Sequence, residues 1–145
     1  MDLPKFNKKN ILKFANELYN PKTGEYTKLC SGYLTHGVDK DECRVMHCGL
    51  GELYYHFEGK HPGKILSGNV DIKQSEGQIA KHFSNKPSVT NKTQVTKILN
   101  SIPGVNDAYT FVDTGGPYEK YKKHNFKTRA QNVAKKIRSL AKYVK

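Results

Sequence analysis

The chain has 145 residues, the size of one ordinary domain, and carries 25 Lys and Arg against 13 Asp and Glu, a formal net charge of +12. No stretch approaches the roughly 20 apolar residues that a bilayer span needs, which excludes a membrane-spanning protein by helices. The three cysteines, Cys30, Cys43 and Cys48, cannot all pair within one chain, which excludes a small secreted disulfide framework.

The opening run Met1-Asp2-Leu3-Pro4-Lys5-Phe6 lacks the apolar core of a secretory leader, so a cytoplasmic protein with reduced thiols is expected. From Lys9 to Tyr19, Ile11, Phe14, Ala15 and Leu18 recur at helical spacing, with Asn10 near the start. Asn20-Pro21 and Lys22-Thr23-Gly24 end that helix. A poorly patterned stretch follows from Glu25 to Asp41.

Cys43 to Cys48 and Glu52 to Glu58 are two short β-prone runs around Gly49-Leu50-Gly51, which reads as a hairpin. Lys64 to Ile72 reads as a third strand. Ser75 and Gln78 stand at capping-box spacing before a helix bearing Ile79 and Phe83. Thr90 is placed to cap a further helix with Val95, Ile98, Leu99 and Ile102, which Pro103-Gly104 is expected to terminate before a strand from Ala108 to Val112. Gly115-Gly116-Pro117 is strong punctuation. Beyond it, Tyr118 to Lys145 holds ten Lys and Arg and one acid, Glu119, with Ala130, Val133, Ala134, Ile137, Leu140, Ala141 and Val144 on one stripe. This is a basic amphipathic helix. The expected architecture is a single α+β domain over 1–145: a small antiparallel sheet packed against helices, with 117–145 as a basic C-terminal segment.

An excess of cations on this scale attracts polyanions, and phosphate neutralisation supplies most non-specific affinity for nucleic acid. Lys122, Lys123, Lys127, Arg129, Lys135, Lys136, Arg138 and Lys142 are expected to form a cationic ridge. Tyr118, Tyr121 and Phe126 among them would stack on bases. An exposed sheet with aromatic residues suits unstacked bases, so RNA is preferred over DNA. An acidic protein partner is the alternative for a non-catalytic inhibitor.

In the hairpin reading, Cys48 opposes Glu52, Met46 opposes Tyr54 and Arg44 opposes His56, all on one face. Those groups fit metal-independent RNA cleavage of a toxin-like or phage type: Glu52 or Glu58 as base, His56 as acid, Arg44 against the developing charge, and Tyr54 orienting. No cofactor is implied. Cys43, His47 and Cys48 lack a paired Cys-x-x-Cys knuckle, so no metal site is expected.

Leu29-Cys30-Ser31-Gly32-Tyr33 resembles the nucleophile segment of the NlpC/P60-type papain-fold hydrolases. Gly51-Glu52-Leu53 and His61-Pro62-Gly63 resemble that family's Gly-Asp-Leu and histidine segments. The resemblance implies a cysteine hydrolase with Cys30 as a thiolate at a helix start, activated by an imidazole.

Overall fold

A computed structural model describes residues 2–30, 34–39, 44–63, 70–107, 109–111, 121–123 and 125–145 of the chain, with backbone alone at 36–39, 44, 109–111 and 121–123. Helix α1, Lys8–Leu18, starts where the Asn7 side chain accepts from the Asn10 N–H, and it buries Ile11, Phe14, Ala15 and Leu18 as its periodicity predicts. Strands β1 (Thr35–Asp39) and β2 (Arg44–His47) pair antiparallel, with Thr35 opposite His47 and an irregularity between His36 and Val38.

The expected hairpin about Gly49-Leu50-Gly51 is not formed. Residues Gly49–Glu58 are helix α2, whose N-cap is Cys48, its sulfur accepting from the Gly51 N–H at 3.4 Å. The glycines serve packing rather than a turn. A Cβ on Gly49 would stand 2.5 Å from Val133 Cγ1, and one on Gly51 would stand 2.0 Å from the Leu34 carbonyl oxygen. Leu50, Leu53, Tyr54 and Phe57 then fall at i, i+3, i+4 and i+7 and are all buried. Gly59 closes the helix in the left-handed region (φ 72°), its N–H donating to the Tyr55 carbonyl.

Residues 64–69 of the expected third strand lie outside the described residues, and Val70 to Ile72 form no strand. Helix α3, Glu76–Ser84, has the capping box that Ser75 and Gln78 foretell. Helix α4, Lys92–Asn106, is capped by Asn91 rather than Thr90 and runs through Pro103 instead of ending there. Proline deprives the Leu99 carbonyl of a donor. The helix resumes because Ile102 and Asn106, either side of the proline, are both wholly buried. Strand β3 (Tyr109–Phe111) lies inside the expected strand and pairs antiparallel with β4 (Tyr121–Lys123).

Helix α5, Phe126–Leu140, starts at an Asn125 cap and continues into a 3-10 turn, Ala141–Tyr143. Its stripe of Ala130, Val133, Ala134, Ile137 and Leu140 is buried against α1 and α4. Helices therefore dominate. Among the described residues the strands form two separate two-stranded ribbons, and the small antiparallel sheet expected to carry the helices is not found there. The core is instead helix on helix, with Phe6, Phe57 and Phe83 in edge and tilted contacts at its centre (ring centroids 4.8 to 6.2 Å apart).

Candidate functional site

The densest polar cluster lies where β2 runs into α2. His47, the last residue of β2, is only 1% exposed. Its Nδ1 lies 2.6 Å from Glu52 Oε2, and its Nε2 lies 2.8 Å from Nδ1 of His61. The Tyr55 ring is stacked on both imidazoles, with centroids 4.9 Å from His47 and 4.5 Å from His61.

Each member is held by backbone geometry. The Cys30 N–H donates to the His47 carbonyl at 2.9 Å, and helix α2 places Glu52 and Tyr55 three residues apart on one side. Asp71 Oδ2 accepts from the His61 N–H, and the N–H groups of Asp71 and Ile72 donate to the His61 carbonyl. The Thr35 hydroxyl donates to the Pro62 carbonyl, which ties this loop to β1. Gly63 (φ 98°) lies so close to Leu34 that a Cβ there would stand 2.2 Å from the leucine Cβ.

The carboxylate fixes the direction of the first hydrogen bond, Glu52 accepting from the His47 Nδ1–H; with His47 neutral, its Nε2 keeps a lone pair, which accepts from the His61 Nδ1–H. His61 is left with a lone pair at Nε2, for which there is no hydrogen-bond partner among the described residues. Burial holds the His61 imidazole below its usual pKa and His47 adds to this, against the opposing pull of Asp71 and Glu52. The ring is therefore neutral at pH 7. The cluster can take up a proton at one open nitrogen and share the charge back toward a half-buried carboxylate.

The groups expected to act together are dispersed by the helix. Glu52 belongs to the cluster just described. His56 turns toward α1, with its ring 4.6 Å from Phe14 and Nδ1 3.6 Å from Glu17, and burial lowers its pKa against the pull of Glu17. Glu58 is on another side of α2, bonded to His82 at 2.8 Å and Lys86 at 2.7 Å. Tyr54 is buried between His82 and Phe83, its hydroxyl pKa raised by burial and by Glu58. Arg44 pairs with Asp39 through the β1–β2 backbone, and its side chain lies outside the described residues. A strand alternates at two residues, whereas a helix turns 100° for each. Residues 52, 54, 56 and 58 therefore share a face in the first and not in the second.

His47 and Tyr55 are absent from the expected catalytic residues, and His61 enters them only through the papain-fold resemblance, not as a member of the ribonuclease set. A helical reading of Leu50, Leu53, Tyr54 and Phe57 was available in the sequence and would have put Tyr55 beside Glu52. Nothing local signals that His61 meets His47.

Cys30 and Cys48 are buried. Burial pushes the Cys30 thiol up to about 12, against the pull of Arg129, so it is held protonated, the reverse of what the papain-fold resemblance implies. It is Cys48, not Cys30, that caps a helix, and its thiol is also pushed up by burial.

The expected cationic ridge divides. Tyr121, Lys122 and Lys123 lie in β4, with Lys122 opposite Thr110. Arg129 is turned inward and 5% exposed, donating to the Leu29 carbonyl, so it supports the fold rather than the ridge. Arg138 reaches across to α1, donating to the Asn16 side chain at 3.1 Å and the Tyr19 carbonyl at 3.0 Å. Lys127 and Lys135 are exposed on α5 and Lys142 on the 3-10 turn that follows it, with Lys136 half-buried. Among the described residues these four lysines form no ion pair. Lys135 and Lys136, with Asn132 and Ser139, line a groove of about 450 Å³ closed by Val105 of α4. Phe126 opens the helix with its ring 41% exposed, and cations of Lys28 and Arg129 lie 5.8 and 5.7 Å from its centroid.

The arrangement defines a helical protein with a carboxylate–imidazole–imidazole chain at one helix start and a basic face on its last helix. No family model, curated protein or solved structure matches the chain. No described helix is long and apolar enough to cross a membrane.

Proposed function

We propose that the protein binds single-stranded RNA along helix α5. The observation that carries this reading is the outer side of α5 and its 3-10 extension, where Lys127, Lys135 and Lys136 of the helix and Lys142 of the turn stand and no described carboxylate neutralises them. Cations left free on one helix side are suited to replacing the counterions of a phosphate backbone. The groove beside Lys135 and Lys136 gives a strand a recess next to the charge. Phe126, exposed between two cations, is a platform for an unstacked base, which duplex DNA does not present.

The test is fluorescence anisotropy with an RNA oligonucleotide, the same sequence as duplex DNA, and an acidic peptide, each over a range of salt. Single-stranded RNA is expected to bind tightest. Replacing Lys135 and Lys136 together by Gln should flatten the slope of log K against log salt by about 1.4. Phe126→Ala should weaken RNA binding while leaving that slope unchanged. An identical slope in the double variant, or tighter binding of the acidic peptide, would overturn the reading.

A further inference from the structure

We infer that Glu52, His47 and His61 form a proton relay whose open end, Nε2 of His61, is the general base of a metal-independent cleavage of RNA at its 2′-hydroxyl. This rests on the RNA reading of α5 for its substrate class, and on an independent set of residues for its chemistry.

The directionality of the hydrogen bonds is the first support. A carboxylate can only accept, so with His47 neutral the bonds His47 Nδ1–H to Glu52 and His61 Nδ1–H to His47 Nε2 leave one lone pair at the far nitrogen. A buried histidine needing only satisfaction would be served by Glu52 and a carbonyl. Here its second nitrogen is committed to another imidazole, which is half-buried and has an open Nε2. Proton uptake at that atom places the new charge in line with Glu52. The charged and titratable neighbours act in known directions: Glu52 and Asp71 favour the protonated ring, while His47 and burial disfavour it. The neutral ring at pH 7 is the form a base requires.

Placement is the second support. Arg129 of α5 donates to the Leu29 carbonyl, and the next residue, Cys30, donates to the His47 carbonyl. The start of α5, with Phe126 and Lys127, is thus joined to the relay through two residues of main chain. Tyr55 covers both imidazoles and is itself 39% exposed, so the cluster reaches the surface at an aromatic ring.

His61 would be the catalytic residue, and His47 and Glu52 positioning residues. Nε2 of His61 takes the proton of a 2′-hydroxyl as that oxygen bonds to the adjacent phosphorus. The bond from phosphorus to the 5′-oxygen breaks, and the leaving oxygen takes a proton from solvent. The products are a 2′,3′-cyclic phosphate end and a 5′-hydroxyl end, and His61 returns its proton to water. No redox partner or co-reactant is consumed.

The test uses the full chain, EDTA, and a labelled RNA oligonucleotide whose binding is measured alongside its cleavage. His61→Gln should lower the cleavage rate by roughly 100-fold or more with RNA affinity unchanged. In a His61→Gly variant, added imidazole should restore part of the rate, which a purely structural role would not allow. Glu52→Gln should retain partial activity and move the acid limb of the pH–rate profile to lower pH, because the carboxylate that favours the protonated ring is gone. A substrate with 2′-deoxyribose at the cleaved position should resist. Wild-type protein that binds RNA without cutting it, or cuts it equally well as His61→Gln, overturns the relay proposal and leaves the α5 reading standing. Failure to bind RNA at all overturns both.

Discussion

Asn106 offers the sharpest test of how the site is held. It is wholly buried near the end of α4, and its side chain uses its amide groups in full. Oδ1 accepts from the Gly49 N–H at 2.8 Å, and Nδ2 donates to the Cys30 carbonyl and to Asp107 Oδ1, both at 2.8 Å. One amide thereby joins the first residue of α2 to Cys30, whose own N–H donates to the His47 carbonyl. Asn106→Leu keeps the branched shape of the side chain with some added bulk and removes all three bonds, leaving a buried N–H and a buried carbonyl without these partners. Each orphaned group costs about 1–3 kcal/mol, and the added apolar burial returns part of that, so the expected loss is about 3 kcal/mol. For a chain of this size that corresponds to a fall in Tm of roughly 10 °C. Urea unfolding followed by circular dichroism should show a lower midpoint with an unchanged slope. A loss under about 0.5 kcal/mol would mean that water or another group serves Gly49 and Cys30, and that Asn106 does not brace the site.

Two further predictions concern titration. Burial would raise the Glu58 carboxyl, but hydrogen bonds from Lys86 and His82 outweigh it and hold the group below its usual range. A carboxyl with a depressed folded pKa contributes stability above its unfolded value, and that contribution vanishes as pH falls through the folded one. Glu58→Gln should therefore lower the melting temperature at pH 7, with a deficit that begins to shrink near pH 4, the unfolded carboxylate range, and disappears only at pH values below the depressed folded pKa; a deficit that stays equal on acidification through that range would contradict the assignment. With its thiol at about 12, Cys30 should carry roughly a thousandfold less thiolate at pH 8 than an exposed cysteine. Mass spectrometry after brief alkylation should find Cys30 and Cys48 labelled only in urea. Rapid labelling of Cys30 in the folded protein would instead favour the cysteine-hydrolase alternative.

Much of the helical framework was legible in the sequence, because the relevant signals are local. Ile11, Phe14, Ala15 and Leu18 lie on one stripe, Ser75 and Gln78 cap each other, and Val133, Ala134, Ile137 and Leu140 mark the buried side of α5. The error at α2 came from reading Gly49 and Gly51 as turn residues, when their lack of a side chain admits Val133 and Leu34 from elsewhere in the chain. Tyr54, Tyr55 and Phe57 have strand propensity, and their tertiary packing overrode it. Pro103 was misjudged for a similar reason: the buried Ile102 and Asn106 keep α4 going past a missing donor. The imidazole pair was out of reach altogether. It depends on Thr35 bonding the Pro62 carbonyl and on Asp71 and Ile72 bonding the His61 backbone, contacts between segments with no shared pattern.

Leu34 has a part out of proportion to its chemistry. The Gly51 turn of α2 rests on its backbone and the Gly63 turn on its side chain, so the segments bearing Glu52 and His61 abut the same residue from two directions. It acts as a gauge block between them. Shaving it to alanine would let the Gly63 turn settle inward, and enlarging it to phenylalanine would push that turn away. A single apolar position with no charge and no reactive atom would thus set the spacing on which proton exchange between two rings depends.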